Sequence, residues 1–167
     1  MNFEDFYSDY KNQLMQDLLT DEDIVKLIDE DYDLTNSINL AYKNVFPYEY
    51  VPETIEEAAT YICFDVDMQK ALNKTILVPV VYVWVFTHKS LLRLSTGGVR
   101  TDKLMAKISG KLNGSRNYGI GTLDLNSVRR FVPLADYQGK AMTFYTEEYN
   151  QISSTRKTPP SNRKKGV

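Results

Sequence analysis

The chain has 167 residues, 43% of them apolar and 25% charged, with a formal net charge of −2. That length suits one domain, and the apolar share is enough for an ordinary core. The near-neutral balance excludes a large basic field that would gather nucleic acid non-specifically. A single cysteine, Cys63, excludes an intramolecular disulfide and a cysteine-based zinc site.

Charge is unevenly spread. The stretch from Glu4 to Asp33 is acidic, whereas Arg156, Lys157, Arg163, Lys164 and Lys165 lie in a segment without acids. Met1 to Asp5 has neither a basic start nor an apolar region, so no secretory leader is expected. The longest apolar run, Ile76 to Phe86, falls far short of the ~20 residues that span a bilayer, and no membrane partner is expected.

In chain order, Phe3, Tyr7, Tyr10, Leu14 and Leu18 recur at spacings of three and four, which predicts a helix with one buried stripe. Thr20 is placed to cap a second helix, with Asp23 at the capping-box position and Ile24, Leu27 and Ile28 as its apolar edge. Thr35 is placed to cap a short third helix through Ile38 and Ala41. The prolines and rings of Phe46-Pro47-Tyr48-Glu49-Tyr50-Val51-Pro52 predict an extended segment pinned to a surface.

Residues Tyr61 to Met68 alternate, with Ile62, Phe64, Val66 and Met68 on one side and Tyr61, Cys63, Asp65 and Asp67 on the other: a strand with one wet face. Ile76 to Thr87 follows and suits an antiparallel hairpin with it. Here both faces are apolar, so the strand needs cover on both sides, from helix layers of the same chain or from a neighbouring subunit. Pro79 cannot donate to a ladder and predicts an edge or a bulge near the strand's start.

Leu92 to Gly98 reads as a loop, and a helix is predicted from about Thr101, as N-cap, to Leu112, ended by Asn113-Gly114. Gly119 to Val132 reads as a third strand, irregular at Asn126-Ser127. Gln138-Gly139 reads as a turn and Lys140 to Tyr149 as a fourth strand. The Ser, Thr, Pro, Lys and Arg composition beyond Asn150 predicts a tail without fixed structure. The expected organisation is therefore one α+β domain over 1–150, with N-terminal helices over about 1–43 and a mostly antiparallel β-β-α-β-β sheet carrying one packed helix, followed by a basic tail over 151–167.

Tests for chemistry each meet a plainer alternative. Asp65-x-Asp67 puts two carboxylates on one strand face, as magnesium-dependent nucleases require, yet the solvent face of an amphipathic strand looks the same. His88, the only histidine, ends the core strand at a place suited to a general base, but no nucleophile motif accompanies it. Whether it meets Cys63 depends on the register of the paired strands. Gly97-Gly98 before a helix suggests phosphate binding, but no phosphate-loop pattern is present, and a helix-entry loop fits better. Gly119-Ile120-Gly121 is more simply a bulge or close backbone contact. The twelve tyrosines and seven phenylalanines suit an interface or a core; as a platform for single-stranded bases they lack interleaved cations. The basic tail suits a solvated terminus, nucleic-acid binding or docking on an acidic partner.

Laid out in this way, the chain resembles the tail terminator and head–tail joining proteins of tailed bacteriophages. The resemblance spans roughly 41–150. It rests on Val45-Phe46-Pro47-Tyr48, on the run from Pro79 to Lys89, on Arg100-Thr101-Asp102-Lys103-Leu104, on Tyr118-Gly119-Ile120-Gly121 and on Tyr137 to Tyr145. The acidic helices in front and the basic tail are additions to that pattern. The resemblance implies a structural virion protein, made in the host cytoplasm and built into the neck. There it forms a ring, typically sixfold, between the head connector and the tail tube, with DNA passing through the lumen. It implies no enzyme, catalytic residue, metal or cofactor. Phe46, Tyr48, Tyr50, Lys89, Arg93, Arg100, Arg129 and Arg130 are then candidates for a subunit or partner interface. Arg156, Lys157, Arg163, Lys164 and Lys165 are candidates for docking through the tail. Lumen residues are expected to avoid strong positive charge, which would hold passing DNA.

Overall fold

A computed structural model of the chain describes residues 3–53, 58–73 and 75–149. Helix α1 spans Phe3–Leu19 and buries Phe6, Tyr10, Leu14 and Leu18, so Phe6 rather than Tyr7 completes the apolar stripe. Helix α2 spans Glu22–Ile28. Its cap is Asp21, whose carboxylate accepts the Ile24 N–H at 3.2 Å, while the expected cap, Thr20, donates its hydroxyl back to Gln16 O at 2.8 Å. The expected third helix is a single 3-10 turn, Ser37–Leu40. Thr35 does not cap it, because Asp33 takes both the Thr35 N–H and hydroxyl.

The fold is α+β, with helices first and a mostly antiparallel six-stranded sheet after them. The strands are β1 (Val45–Phe46), β2 (Thr60–Ala71), β3 (Ile76–His88), β4 (Asp124–Phe131), β5 (Tyr137–Tyr145) and β6 (Glu148–Tyr149), with helix α3 (Arg100–Leu112) between β3 and β4. Their order is β1-β2-β3-β5-β4, with β6 beside the start of β3. Only β1 runs parallel to its neighbour. The β2–β3 hairpin forms as the alternation predicts. Pro79 lies opposite Met68, and the register shifts between Met68 and Lys70, so the irregularity it demands is taken up in the partner strand.

One face of β3 is aliphatic. Val81, Val83 and Val85 join Ile62, Phe64 and Val66 of β2 and Met142 and Phe144 of β5 in a core roofed by Leu14 and Leu18 of α1 and Leu104, Ile108 and Leu112 of α3. Each fully buried side chain of this kind contributes about 1.5–3 kcal/mol. Two helices, not one, thus pack on the sheet, with α1 over β2 and α3 over β3 and β5. Both lie on the same face, so β3 is not sandwiched between helix layers.

Four further expectations need correction. Helix α3 starts at Arg100 after an uncapped Val99, with Thr101 buried in its first turn. Gln138-Gly139 is not a turn but part of β5, opposite Thr87 and Phe86. A Cβ at Gly139 would lie 2.1 Å from Val85 O, so glycine is there to let two strands approach. The third strand begins only at Asp124. Gly119, at φ +70°, is held against the link between β5 and β6 instead, where Ile120 N–H donates to Glu147 O at 2.9 Å. The expected fourth strand divides into β5 and β6.

Candidate interaction surface

The sheet face away from the helices is built from four rungs. They are Tyr61-Phe86-Gly139-Phe131, Cys63-Trp84-Ala141-Arg129, Asp65-Tyr82-Thr143-Ser127 and Asp67-Val80-Tyr145-Asp124. At one end the chain covers this face itself. Phe46 and Tyr50 stack with ring centroids 4.0 Å apart, and the rings continue through Tyr61, Phe86, Tyr137 and Phe131. The Pro-rich segment is thus pinned to the sheet, as its composition predicts. Cys63 is sealed beneath it, with its thiol donating to Tyr50 O at 3.6 Å. Burial pushes that thiol up to about 12. Burial, reinforced by Tyr137 and Tyr50, also pushes the Tyr61 hydroxyl up to about 12.

The cover thins at Trp84, which still touches Phe131 with ring centroids 6.5 Å apart, and ends beyond it. Tyr82 and Trp84 lie stacked on the open face, 5.8 Å between centroids and 15° between planes, both half-buried. The small side chains of Ala141 and Thr143 separate them from Arg129, whose exposed side chain makes no hydrogen bond or ion pair among the described residues. Tyr82, Trp84, Ala141 and Thr143 were not singled out from the sequence. The signal was in the composition of β3, whose one face holds only valines at 81, 83 and 85 while the other holds rings.

The two ends of the sheet differ in charge. Strand β4 is outermost, with Arg129 and Arg130 exposed and Val128 38% exposed. At the other end β1 pairs only with Ile62 and Cys63, so from Phe64 on β2 has no strand outside it. There Asp65 accepts the Val66 N–H at 2.8 Å and Asp67 the Met68 N–H at 3.3 Å. Each carboxylate is a local substitute for the missing strand, a known way of blunting an edge. Lys11 of α1 also binds Asp65 at 2.7 Å. No group of three or more acidic, histidine or cysteine side chains fit to hold a metal occurs among the described residues.

The other candidates are scattered. Tyr48, Lys89 and Arg93 are exposed, with Lys89 3.7 Å from Asp136. Phe46 is buried. Arg100 is only 8% exposed and faces inward: it donates to Leu27 O at 2.7 Å and Leu91 O at 2.9 Å and lies 3.6 Å from Glu30, clasping α2 to α3. Neither Phe46 nor Arg100 is available to a partner in this fold. His88 bonds Ser90 Oγ through Nδ1 at 2.8 Å, while Cys63 sits opposite Trp84, four positions along the strand, so the two do not meet. Gly97 and Gly98 both adopt positive φ in the loop before α3, as a helix-entry loop requires. The basic candidates from Arg156 to Lys165 lie outside the described residues.

The YomW family model matches residues 21–146. The chain belongs to the YomW family, which is phage-associated. No curated protein matches it. The YomW match begins at the Asp21 cap, so α2 lies inside the matched span and α1 outside it. All of β1–β5 and α3 lie inside the matched span. No helix among the described residues is long and apolar enough to cross a membrane.

Proposed function

We propose that this YomW protein is a structural virion subunit that assembles into a ring, typically of six copies, at the phage neck. There it ends the tail tube and joins it to the head connector, and DNA passes through its lumen. The observation that carries the reading is the sheet face left open beside the self-made aromatic cover. Tyr82 and Trp84 are stacked on a rigid strand with Arg129 close by, and Trp, Tyr and Arg are the residues most enriched where protein partners bind tightly. A phage-associated family and a resemblance to neck proteins support a partner within the virion. The carboxylate pair Asp65 and Asp67, the feature nearest to an enzyme site, has a structural use as caps of an open strand edge. Purified phage particles test the proposal. The chain should be present at a copy number matching one ring per particle and should form a discrete oligomer in solution. Absence from virions, with a monomer at every concentration, would sink it.

A further inference from the structure

We infer that the ring closes by strand addition, the outer edge of β4 in one subunit pairing with the open edge of β2 in the next. The inference rests on the ring reading above and assigns it a joint.

Open strand edges are templates for pairing, and this sheet has two of comparable length: Asp124–Phe131 of β4 and Phe64–Ala71 of β2. Directions agree. The strands β2, β3, β5 and β4 alternate in direction across the sheet, so β4 runs opposite to β2. Rotation about an axis roughly along the strands keeps those directions in the next copy. The β4 of one subunit therefore meets the β2 of its neighbour antiparallel, with the helices of both on the same side. Such a head-to-tail contact uses different surfaces on its two sides, as a closed ring beyond a dimer requires.

Charge and register select one alignment. Arg129 and the two carboxylates at 65 and 67 belong to the same open face, so parity allows Arg129 to sit opposite either one. Opposite Asp65, it would carry Phe131 onto Cys63, where β1 already sits. Opposite Asp67, it keeps all of β4 clear of β1. Asp65 is held by Lys11, whereas Asp67 has no ion pair among the described residues, and Arg129 lacks one too. On pairing, β4 carbonyls take over the N–H groups that the aspartates cap in the free subunit, and Asp67 is released to Arg129.

Charge reversal tests the joint. Within one chain Arg129 and Asp67 are three strands apart, about 14 Å at the usual strand spacing, so one cannot rescue the other internally. By sedimentation velocity, Arg129→Glu and Asp67→Arg should each lose the ring species, weakening assembly at least tenfold, and the double variant should regain it. Rings that persist in both single variants, or a double variant that stays dispersed, would overturn strand addition while leaving the ring reading intact. Wild-type chain that is monomeric at every concentration would remove both. Should a reversal impair folding, Arg129→Lys keeps the charge and gives a second test. A zero-length carbodiimide should then join Lys at 129 to Asp67 of another subunit. An assembled Arg129→Lys ring without that crosslink would equally overturn the proposal.

Discussion

At the scale of single residues, Gly139 and Cys63 carry the sharpest consequences. Gly139 lies where β3 and β5 come closest, and a methyl group there would sit 2.1 Å from Val85 O and 2.7 Å from the Phe86 Cβ. Backbone and packed ring leave no soft neighbour to yield. Gly139→Ala should therefore cost at least about 2–3 kcal/mol, in the range of severe overpacking, read as a lower urea midpoint with an unchanged slope. Cys63 makes the protein sensitive to alkali. Its ordinary value is near 9.0, and burial holds the folded thiol up to about 12. Above the lower value the unfolded chain gives up this proton and the folded chain does not. Stability is thus intact below about pH 9 and declines by about 1.4 kcal/mol per pH unit from this group until about pH 12. Tyr61, also pushed up to about 12, acts in the same direction. Urea midpoints measured from pH 8 to pH 11 should fall, and Cys63→Ala should flatten the fall.

At the scale of elements, the Asp65-x-Asp67 strand shows how far a pattern goes. The alternation placed both carboxylates on one face, and so they are. A metal pair and an edge strand share that pattern in sequence. What separates them is the absence of a neighbour outside Phe64–Ala71, a fact of topology that no local window contains. Asp65→Asn with Asp67→Asn should preserve the fold, because the amide oxygens still accept the Val66 and Met68 N–H groups. Magnesium should leave the thermal midpoint of wild type and variant alike unchanged. A magnesium-dependent rise in wild type alone would restore the metal reading. The same reasoning explains other successes and errors. Strands β2 and β3 were legible because period-two burial is written directly in Ile62 to Met68 and Ile76 to Thr87. The caps slipped because Thr20, Asp21, Thr35 and Asp33 all offer oxygens within a few residues, and geometry chooses among them. Gly139 was misread because glycine marks a turn and a close strand approach equally well. Arg100 looked like a surface cation. Only folding brings the carbonyls of Leu27 and Leu91 to its guanidinium.

At the scale of the whole molecule, the sheet has a helix-covered face, an open aromatic face and two edges of opposite charge, and the proposed ring would use the edges and the open face for different neighbours. If the edges join sister subunits, the open face stays free in the ring and is left for the head connector or tube protein. Trp84 reports on this directly, since it is the only tryptophan in the chain and lies half-buried on that face, stacked on Tyr82. Ring formation by strand addition should leave its acrylamide quenching constant and emission maximum essentially unchanged, because β3 is separated from either edge by another strand. Rings made by packing open faces together would instead lower the quenching constant at least twofold and shift emission to the blue. Docking of the ring on its neck partner should produce that same shift, because a partner that takes Tyr82 and Trp84 must exclude water from them. Quenching measured on monomer, isolated ring and docked complex therefore separates the contact that builds the ring from the contact that places it. Protection that appears already in the isolated ring would assign the aromatic face to sister subunits and leave the charged edges for the partner.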